Sequence, residues 1–432
     1  MNEWQTEPLD ACLEALLDYR GKSPPKSPKG IPVLSAKVVK TTGLLRPIEQ
    51  KIATDYYPQW MVRGLPRVGD VVMTTEAPMG EVIQLDSETV QYALGQRIVC
   101  MRGKEKKLDN TFLRYLLTSP RQQAILASYA TGTTVLGISQ KALRSVPISY
   151  PNFSEQRRIG ELLGALDDKI ELNRQMNETL EAMARAMFKD WFVDFGPTRA
   201  KMEGRAPYLT AEIWSLFPDS LDADGKPDGW VNSTIGQEVD VVGGSTPSTK
   251  EAAFWGGDIA WTTPKDLSSL SNPVLLGTAR QITETGLAQI GSGLLPVGTV
   301  LLSSRAPIGY LAIAQIPVAV NQGFIAMVCK ERLSNVFVWL WTQANMDTVH
   351  QNANGSTFQE ISKANFRPIG VTVATPEVLR AFDEVAMPIF ERIVANEKES
   401  RTLAATRELL LPKLMSGEVR VKDAERHIRE AT

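Results

Sequence analysis

The sequence predicts an α+β protein: two mixed sheet-and-helix domains, related by a pseudo-twofold axis and separated by an antiparallel pair of long, coiled-coil-like helices. Three observations carry this expectation. The chain has 432 residues, too many for one ordinary domain. It also repeats itself. GDVVMTTEAPMG (69–80) aligns without gaps with GTVLLSSRAPIG (298–309), an offset of 229, and GTTVLGISQKALR (132–144) aligns with GSTFQEISKANFR (355–367), an offset of 223. Finally, each copy ends in a heptad seam. The first runs through Ile159, Leu163, Leu166, Ile170, Asn173, Asn177, Leu180, Ala184, Met187 and Trp191. The same 223 offset carries it onto Phe382, Ala386, Ile389, Ile393, Asn396, Ser400, Leu403, Arg407, Leu410 and Leu414. Alternating steps of four and three are the pattern of a helix packed along its length against another.

Taken in order, residues 1–152 form the first mixed domain. LDACLEALLDY is a short amphipathic stretch, followed by the Pro/Lys loop GKSPPKSPKG and the strand-like IPVLSA. GDVVMTT reads as a strand stopped by Ala77-Pro78-Met79-Gly80, and TFLRYLLTSPRQQAILASYA as a helix interrupted at Ser119-Pro120. A loop, a short helix and a strand complete the domain. Residues 153–195 form the central spacer helix. Its seam stretch would extend roughly 57 Å at 1.5 Å per residue. Residues 196–229 have the Gly, Pro and Asp content of a linker. Residues 230–375 repeat the first domain, 376–416 form the distal spacer helix, and 417–432 a charged tail. Pro388 is expected to kink the distal helix or to place its regular part later.

Composition narrows the chemistry. Hydrophobic content of 43% and charge of 22% are those of a globular chain, and no apolar run is long enough to span a bilayer. The N-terminus is acidic and polar, unlike a secretory signal. Cys12, Cys100 and Cys329 are isolated, which points to a reducing cytoplasm. His350 and His427 are the only histidines, so His-based catalysis or a His-rich metal site is disfavoured. Net charge is −2, yet residues 20–51 hold Arg20, Lys22, Lys26, Lys29, Lys37, Lys40, Arg46 and Lys51 against the single acid Glu49. The amino-methyltransferase pattern [DN]-P-P-[YFW] is missing. GGSTPSTK (243–250) lacks the second glycine of a phosphate loop. Pro218-Asp219 with Asp224-Gly225-Lys226 matches a nuclease spacing only formally, in a loop-like context. No metal or catalytic constellation is expected.

The ordered pattern Gly244-Ser-Thr-Pro, GGDI-W-TPKDL, SSRAPIG, NQGF and GSTFQEIS, closed by ELLLPKLMSGEV, resembles the DNA-specificity subunit of type I restriction-modification systems across essentially the whole chain. The resemblance implies two target recognition domains, each reading half of a split, asymmetric site on double-stranded DNA. It implies a pair of helices as spacer, two methylation subunits docked on the helical region, and restriction subunits in the full complex. The subunit itself is non-catalytic. S-adenosylmethionine belongs to the methylation partner, and ATP and Mg to the restriction partner. The alternative is a helix-pair scaffold that binds proteins but reads no DNA. If the spacer acts as a ruler, whole helical turns inserted between Leu166 and Leu180 should lengthen the gap between half-sites.

The residue types that could meet DNA lie in the loops. Lys22, Ser23, Lys26 and Lys29, splayed by prolines, suit phosphates, as does Lys37. Ser245, Thr246, Ser248 and Lys250 occupy the matching second loop, with Lys265 following it. Glu76 and Arg305 hold one shared position before Ala-Pro; a Glu can accept from cytosine and an Arg can grip guanine. Gln96 beside Arg97, and Gln322 beside Asn321, could read adenine or serve as structural amides. Thr133, Thr134, Ser356 and Thr357 follow an aligned glycine and could cap a short helix or contact phosphate. Trp255 and Trp261 read as packing. Phe188, Trp191 and Phe192 are candidates for the surface that receives a protein partner.

Overall fold

A computed structural model describes residues 4–19, 23–132, 134–355 and 359–431. The chain divides into two compact units, Met1–Ile170 with Arg401–Thr432, and Glu171–Ser400. Both long helices run through the two units, so each unit contains the start of one helix and the end of the other.

The first unit is built on a four-stranded antiparallel sheet in the order Leu13–Asp18, Ile98–Gly103, Val71–Thr75, Met79–Gln84. Alternate residues of these strands face two cores. Val71, Met73, Val99 and Met101 join Phe112 and Leu113 of helix Asn110–Thr118, while Val72, Ile98 and Cys100 face a second cluster with Val33, Leu34 and Ile52. That second cluster lies under a small sheet ordered Lys51–Ile52, Ile31–Leu34, Ala93–Leu94. The helix stops at Ser119, whose hydroxyl caps the next one, Pro120–Ser128. Pro120 supplies the fixed φ of a first helical turn.

The second unit repeats this plan. Its five-stranded sheet runs Val239–Val242, Phe324–Cys329, Val300–Ser304, Ile308–Ala314, Val274–Leu275, and its small sheet runs Arg280–Ile282, Trp255–Thr262, Ala319–Val320. Helix Asn335–Ala344 takes the place of Asn110–Thr118. The turn after the central strand is the same in both units. Ala77 and Ala306 have φ of 55° and 53°, each is followed by a cis proline, and Gly80 and Gly309 then adopt φ of 92° and 119°.

The first long helix is Phe153–Phe188 and the second Pro376–Ser416. In the first unit Ile159 and Leu163 share a core with Leu410, Leu414 and Met415, and Leu166 and Leu403 are also buried. In the second unit Ala184 and Phe188 meet Phe382, Ala386, Phe390 and Ile393, with Leu180, Met187 and Ile389 packed against them. Early residues of one helix thus pack with late residues of the other, so the pair is antiparallel within each unit. Ile170, at the edge of the first unit, is half-buried.

Three expectations need correction. The regular part of the distal helix is not placed after Pro388, because the helix starts at Pro376 and continues to Ser416. The proline sits on the helix's exposed face, as does Glu384, whose carbonyl loses its donor where water can replace it. Residues 196–229 are more than a linker. They carry helices Gly196–Met202 and Ala211–Leu216 and bury Pro197, Thr198, Ala200 and Phe217. Lastly, Phe188, Trp191 and Phe192 are not an open docking surface; their exposures are 3%, 2% and 6%. A π-helical turn, Lys189–Val193, follows the first helix and turns Trp191 and Phe192 inward. There Phe192 lies 5.0 Å from both Phe337 and Phe382, and Trp191 lies 5.1 Å from Phe217, edge to face.

Candidate nucleic-acid interface

In the first unit, the Ala77-Pro78 turn lifts Glu76 out of the sheet. Thr75 donates its N–H to the Arg97 carbonyl at 2.8 Å, and the Arg97 side chain returns to Glu76 at 3.7 Å. Glu76 also bridges to Gly137, at the end of a hairpin closed by Thr131 and Gly137 that carries exposed Thr134. Half-exposed Gln96 joins this rim, its carbonyl accepting from Ala36 N–H at 3.4 Å. Glu76, Gln96 and Arg97 are therefore brought together, and Thr134 lies exposed on the hairpin bridged to Glu76. Ser23, Lys26 and Lys29 are exposed on a loop tied to the edge of the small sheet, where Ser27 N–H bonds the Lys51 carbonyl at 2.9 Å. Lys37 pairs with Glu49 at 3.5 Å, an exposed pair that neutralises part of the basic stretch. Lys22, Thr133, Ser356 and Thr357 lie outside the described residues.

In the second unit, the equivalent turn lifts Arg305, which meets Glu360 at 3.6 Å. Glu360 comes from the hairpin equivalent to that of Gly137, and both hairpins are bonded onto the turn in the same way, Ile138 to Thr75 and Ile361 to Ser304, each at 3.0 Å. The charges at the turn are thus exchanged: an acid on the first turn faces an arginine from the turn before strand Ile98–Gly103, and an arginine on the second faces an acid from the hairpin. Gly244 brings the Ser245–Lys250 loop onto the sheet; a Cβ there would stand 1.6 Å from the Val320 carbonyl oxygen. Thr246 Oγ1 donates to Gln322 Oε1 at 2.7 Å, and Ser245 Oγ to the Gln289 carbonyl at 3.1 Å. Asn321 uses its Oδ1 to hold Gly323 N–H at 2.9 Å, a structural role, while Ser248, Lys250, Lys265 and Gln322 are exposed.

The sequence reading left helix capping open for Thr134. The structure gives it to the serine of each Ile-Ser step instead, Ser139 for Gln140–Ser145 and Ser362 for Lys363–Phe366. Trp261 is buried and Trp255 half-buried, their rings edge to face at 5.0 Å. Both indoles donate to the site loop, Trp255 to the Ser248 carbonyl at 3.1 Å and Trp261 to that of Ser245 at 3.3 Å.

Sequence reasoning passed over two polar residues here. Glu360 is one, visible only once the hairpin folds back on Arg305. Arg280 is the other; its guanidinium carbon lies 3.5 Å from the Trp255 ring centre and 5.3 Å from that of Trp261. The signal was present in the repeat. Gln50-Lys51-Ile52 and Arg280-Gln281-Ile282 each pair, through their isoleucine, with the first residue of an aligned pair of segments, Ile31 and Ile259.

No group of residues suited to a metal ion occurs among the described residues. No helix among them is long and apolar enough to cross a membrane.

The fold is a duplicated α+β scaffold that presents two polar rims in which the positions of acid and arginine are exchanged. The chain belongs to the type I restriction modification DNA specificity domain family, whose model matches residues 20–182 and again 227–378. It is a non-catalytic specificity subunit of that class. It is similar to the type I restriction enzyme HindI specificity subunit of Haemophilus influenzae, at 25% identity over 400 residues, 81% of this chain and 86% of that one. It is also similar to the type I restriction enzyme MjaIX specificity subunit of Methanocaldococcus jannaschii, at 34% identity over 192 residues, 44% of each chain. Among solved structures, the S subunit of a type I restriction-modification system from M. genitalium shares the fold, with a TM-score of 0.57 at 16% identity over 95% of this chain and 96% of that one.

Proposed function

We propose that each unit reads one half of a bipartite, asymmetric site on double-stranded DNA, and that the chain delivers two methylation subunits, and through them restriction subunits, to that site. The observation that supports this most directly is the duplicated turn: one backbone geometry presents Glu76 in one unit and Arg305 in the other. A duplicated reader with identical side chains would recognise a palindrome, because site symmetry follows protein symmetry. Unlike side chains on a shared frame suit two unlike half-sites, Glu accepting from cytosine and Arg donating to guanine. Exposed Lys26, Lys29, Lys250 and Lys265 would hold the backbone phosphates that set orientation. In this reading S-adenosylmethionine is bound by the methylation partner, and ATP and Mg by the restriction partner.

Methylome sequencing of cells expressing the chain with its methylation partner tests the proposal. A two-part motif with unlike halves around a fixed gap is expected. A palindromic or contiguous motif overturns it.

A further inference from the structure

Arg280 lies at an edge of the second unit's small sheet and is exposed. Its side chain has no hydrogen-bond or carboxylate partner among the described residues, yet it is not free to wander. The guanidinium is stacked on Trp255 at 3.5 Å with Trp261 beside it. Both indoles are fixed by donating to the Ser245–Ser248 loop. The backbone is held as well: Ala279 N–H donates to Asp266 at 2.8 Å, and Thr278 Oγ1 donates to the Arg280 carbonyl at 2.7 Å. A long cationic side chain has thus been ordered before any ligand arrives, with its planar fork of N–H donors unused. Stacking on an aromatic face leaves the in-plane donors of a guanidinium available, so the group can stack and still form two parallel hydrogen bonds. Ordering in advance lowers the entropy lost on binding.

The first unit carries a matching position. Its small sheet has the same order and the same mixture of one antiparallel and one parallel pairing. There the residue opposite the central strand is Gln50, whose carbonyl accepts from Val33 N–H at 3.0 Å, as Arg280 stands opposite Trp261. Each edge strand carries one amide and one cation before its isoleucine, in opposite order: Gln50-Lys51 and Arg280-Gln281. A shared scaffold with exchanged hydrogen-bonding groups is the arrangement of a position that selects a base.

We propose that Arg280 is a specificity-determining residue of the second unit, reading the O6 and N7 acceptors of a guanine in its half-site. The proposal rests on the DNA-recognition reading above. The test uses the full chain with its methylation partner and a duplex library randomised over the recognised site, with methylated molecules sequenced. For Arg280→Ala, discrimination at one G·C pair of a single half-site should fall roughly 10- to 100-fold, with the other half-site and the gap unchanged. Arg280→Lys keeps the charge but loses the fork, and should relax the same position while retaining overall methylation better than the alanine variant. An unchanged motif for both variants overturns the assignment and makes Arg280 a brace for the tryptophans. A uniform loss with no position relaxed also overturns it, in favour of a phosphate contact. Absence of any motif from the unaltered chain overturns the recognition reading itself, an outcome distinct from either failure of Arg280.

Discussion

Asp167 Oδ1 accepts a hydrogen bond from Arg407 Nη1 at 2.5 Å, and the positions one repeat away from these two residues are Phe390 and Ala184. Where one unit has an ion pair, the other therefore has two members of its apolar core. The surroundings change with it. Asp167 Oδ2 also accepts from Arg114 at 2.7 Å and Tyr115 at 2.6 Å, whereas Phe390 packs against Trp339 with ring centres 5.9 Å apart. Asp167→Ala leaves two arginines and a tyrosine hydroxyl without their acceptor. We expect a loss of roughly 2 kcal/mol, less than for a fully buried pair because Arg114 and Arg407 keep exposures of 26% and 30%. Faster hydrogen exchange across residues 110–118 and 401–414, with the second unit unchanged, is the expected signature. An unaltered unfolding midpoint and exchange pattern would count against the cluster as a stabilising feature.

The second unit holds a layer of asparagines between its helices. Asn173, Asn177 and Asn396 are buried, Asn396 Nδ2 donates to Asn177 Oδ1 at 2.8 Å, and Asn173 Nδ2 to Glu399 at 2.7 Å. Asn396→Leu strands Asn177 Oδ1 in the interior and should cost about 1–3 kcal/mol. Adding Asn177→Leu should recover much of that loss, because both polar groups are then gone. Denaturant melts of the two single variants and the double variant form the cycle; simple additivity would show that the layer is not coupled.

Trp191 and Phe192 offer a sharper contrast between two roles. As core residues, Phe192→Ala should destabilise the second unit by about 3–5 kcal/mol. Tryptophan fluorescence during urea unfolding reports it, since Trp191 and Trp230 lie in the same cluster. A variant with wild-type stability but weakened subunit association would restore the docking role.

Glu181 makes stability depend on pH. Its side chain is 12% exposed, and burial pushes its carboxyl from the ordinary 4.5 up to about 7, against the opposing pull of Arg185. The folded state therefore prefers the protonated form. The stability this contributes is present below about pH 4.5, declines as pH rises through about 7, and then levels off. Glu181→Gln removes that decline. Its stability advantage over the unaltered chain should be larger at pH 8.5 than at pH 5.5 by on the order of 1–3 kcal/mol, read from denaturant melts at the two pH values. Parallel pH profiles for the two proteins would refute this.

The features legible in the sequence are those that local spacing encodes. The seam of both helices follows from alternating steps of three and four, the break at Ser119-Pro120 from proline chemistry, and the duplicated turn from aligned Ala-Pro-x-Gly. What stayed hidden depends on residues far apart in the chain. Trp191 and Phe192 read as the free end of a helix until a π-helical turn directs them towards Phe337 and Phe382. Residues 196–229 have the composition of a linker because short helices capped by Thr210 or begun by Pro197 leave little periodic signal. Of the candidate interface, the loops were found but not the partners of their charges, since Glu360 and Arg280 reach the site only through hairpin and sheet pairing.

Each core is finished by chain from the other repeat: Leu410, Leu414 and Met415 in the first unit, Ala184, Phe188, Trp191 and Phe192 in the second. This restricts how such a gene can recombine. A crossover that replaces one whole repeat, helix included, exchanges part of the neighbouring unit's interior with it, and Asp167 or Arg407 then faces a stranger. A crossover that exchanges only the sheet-bearing segments, 4–150 or 231–375, keeps both helices and their matched residues. Inheritance of new sheet-bearing segments is thus expected to follow the boundaries of the helices rather than those of the repeat.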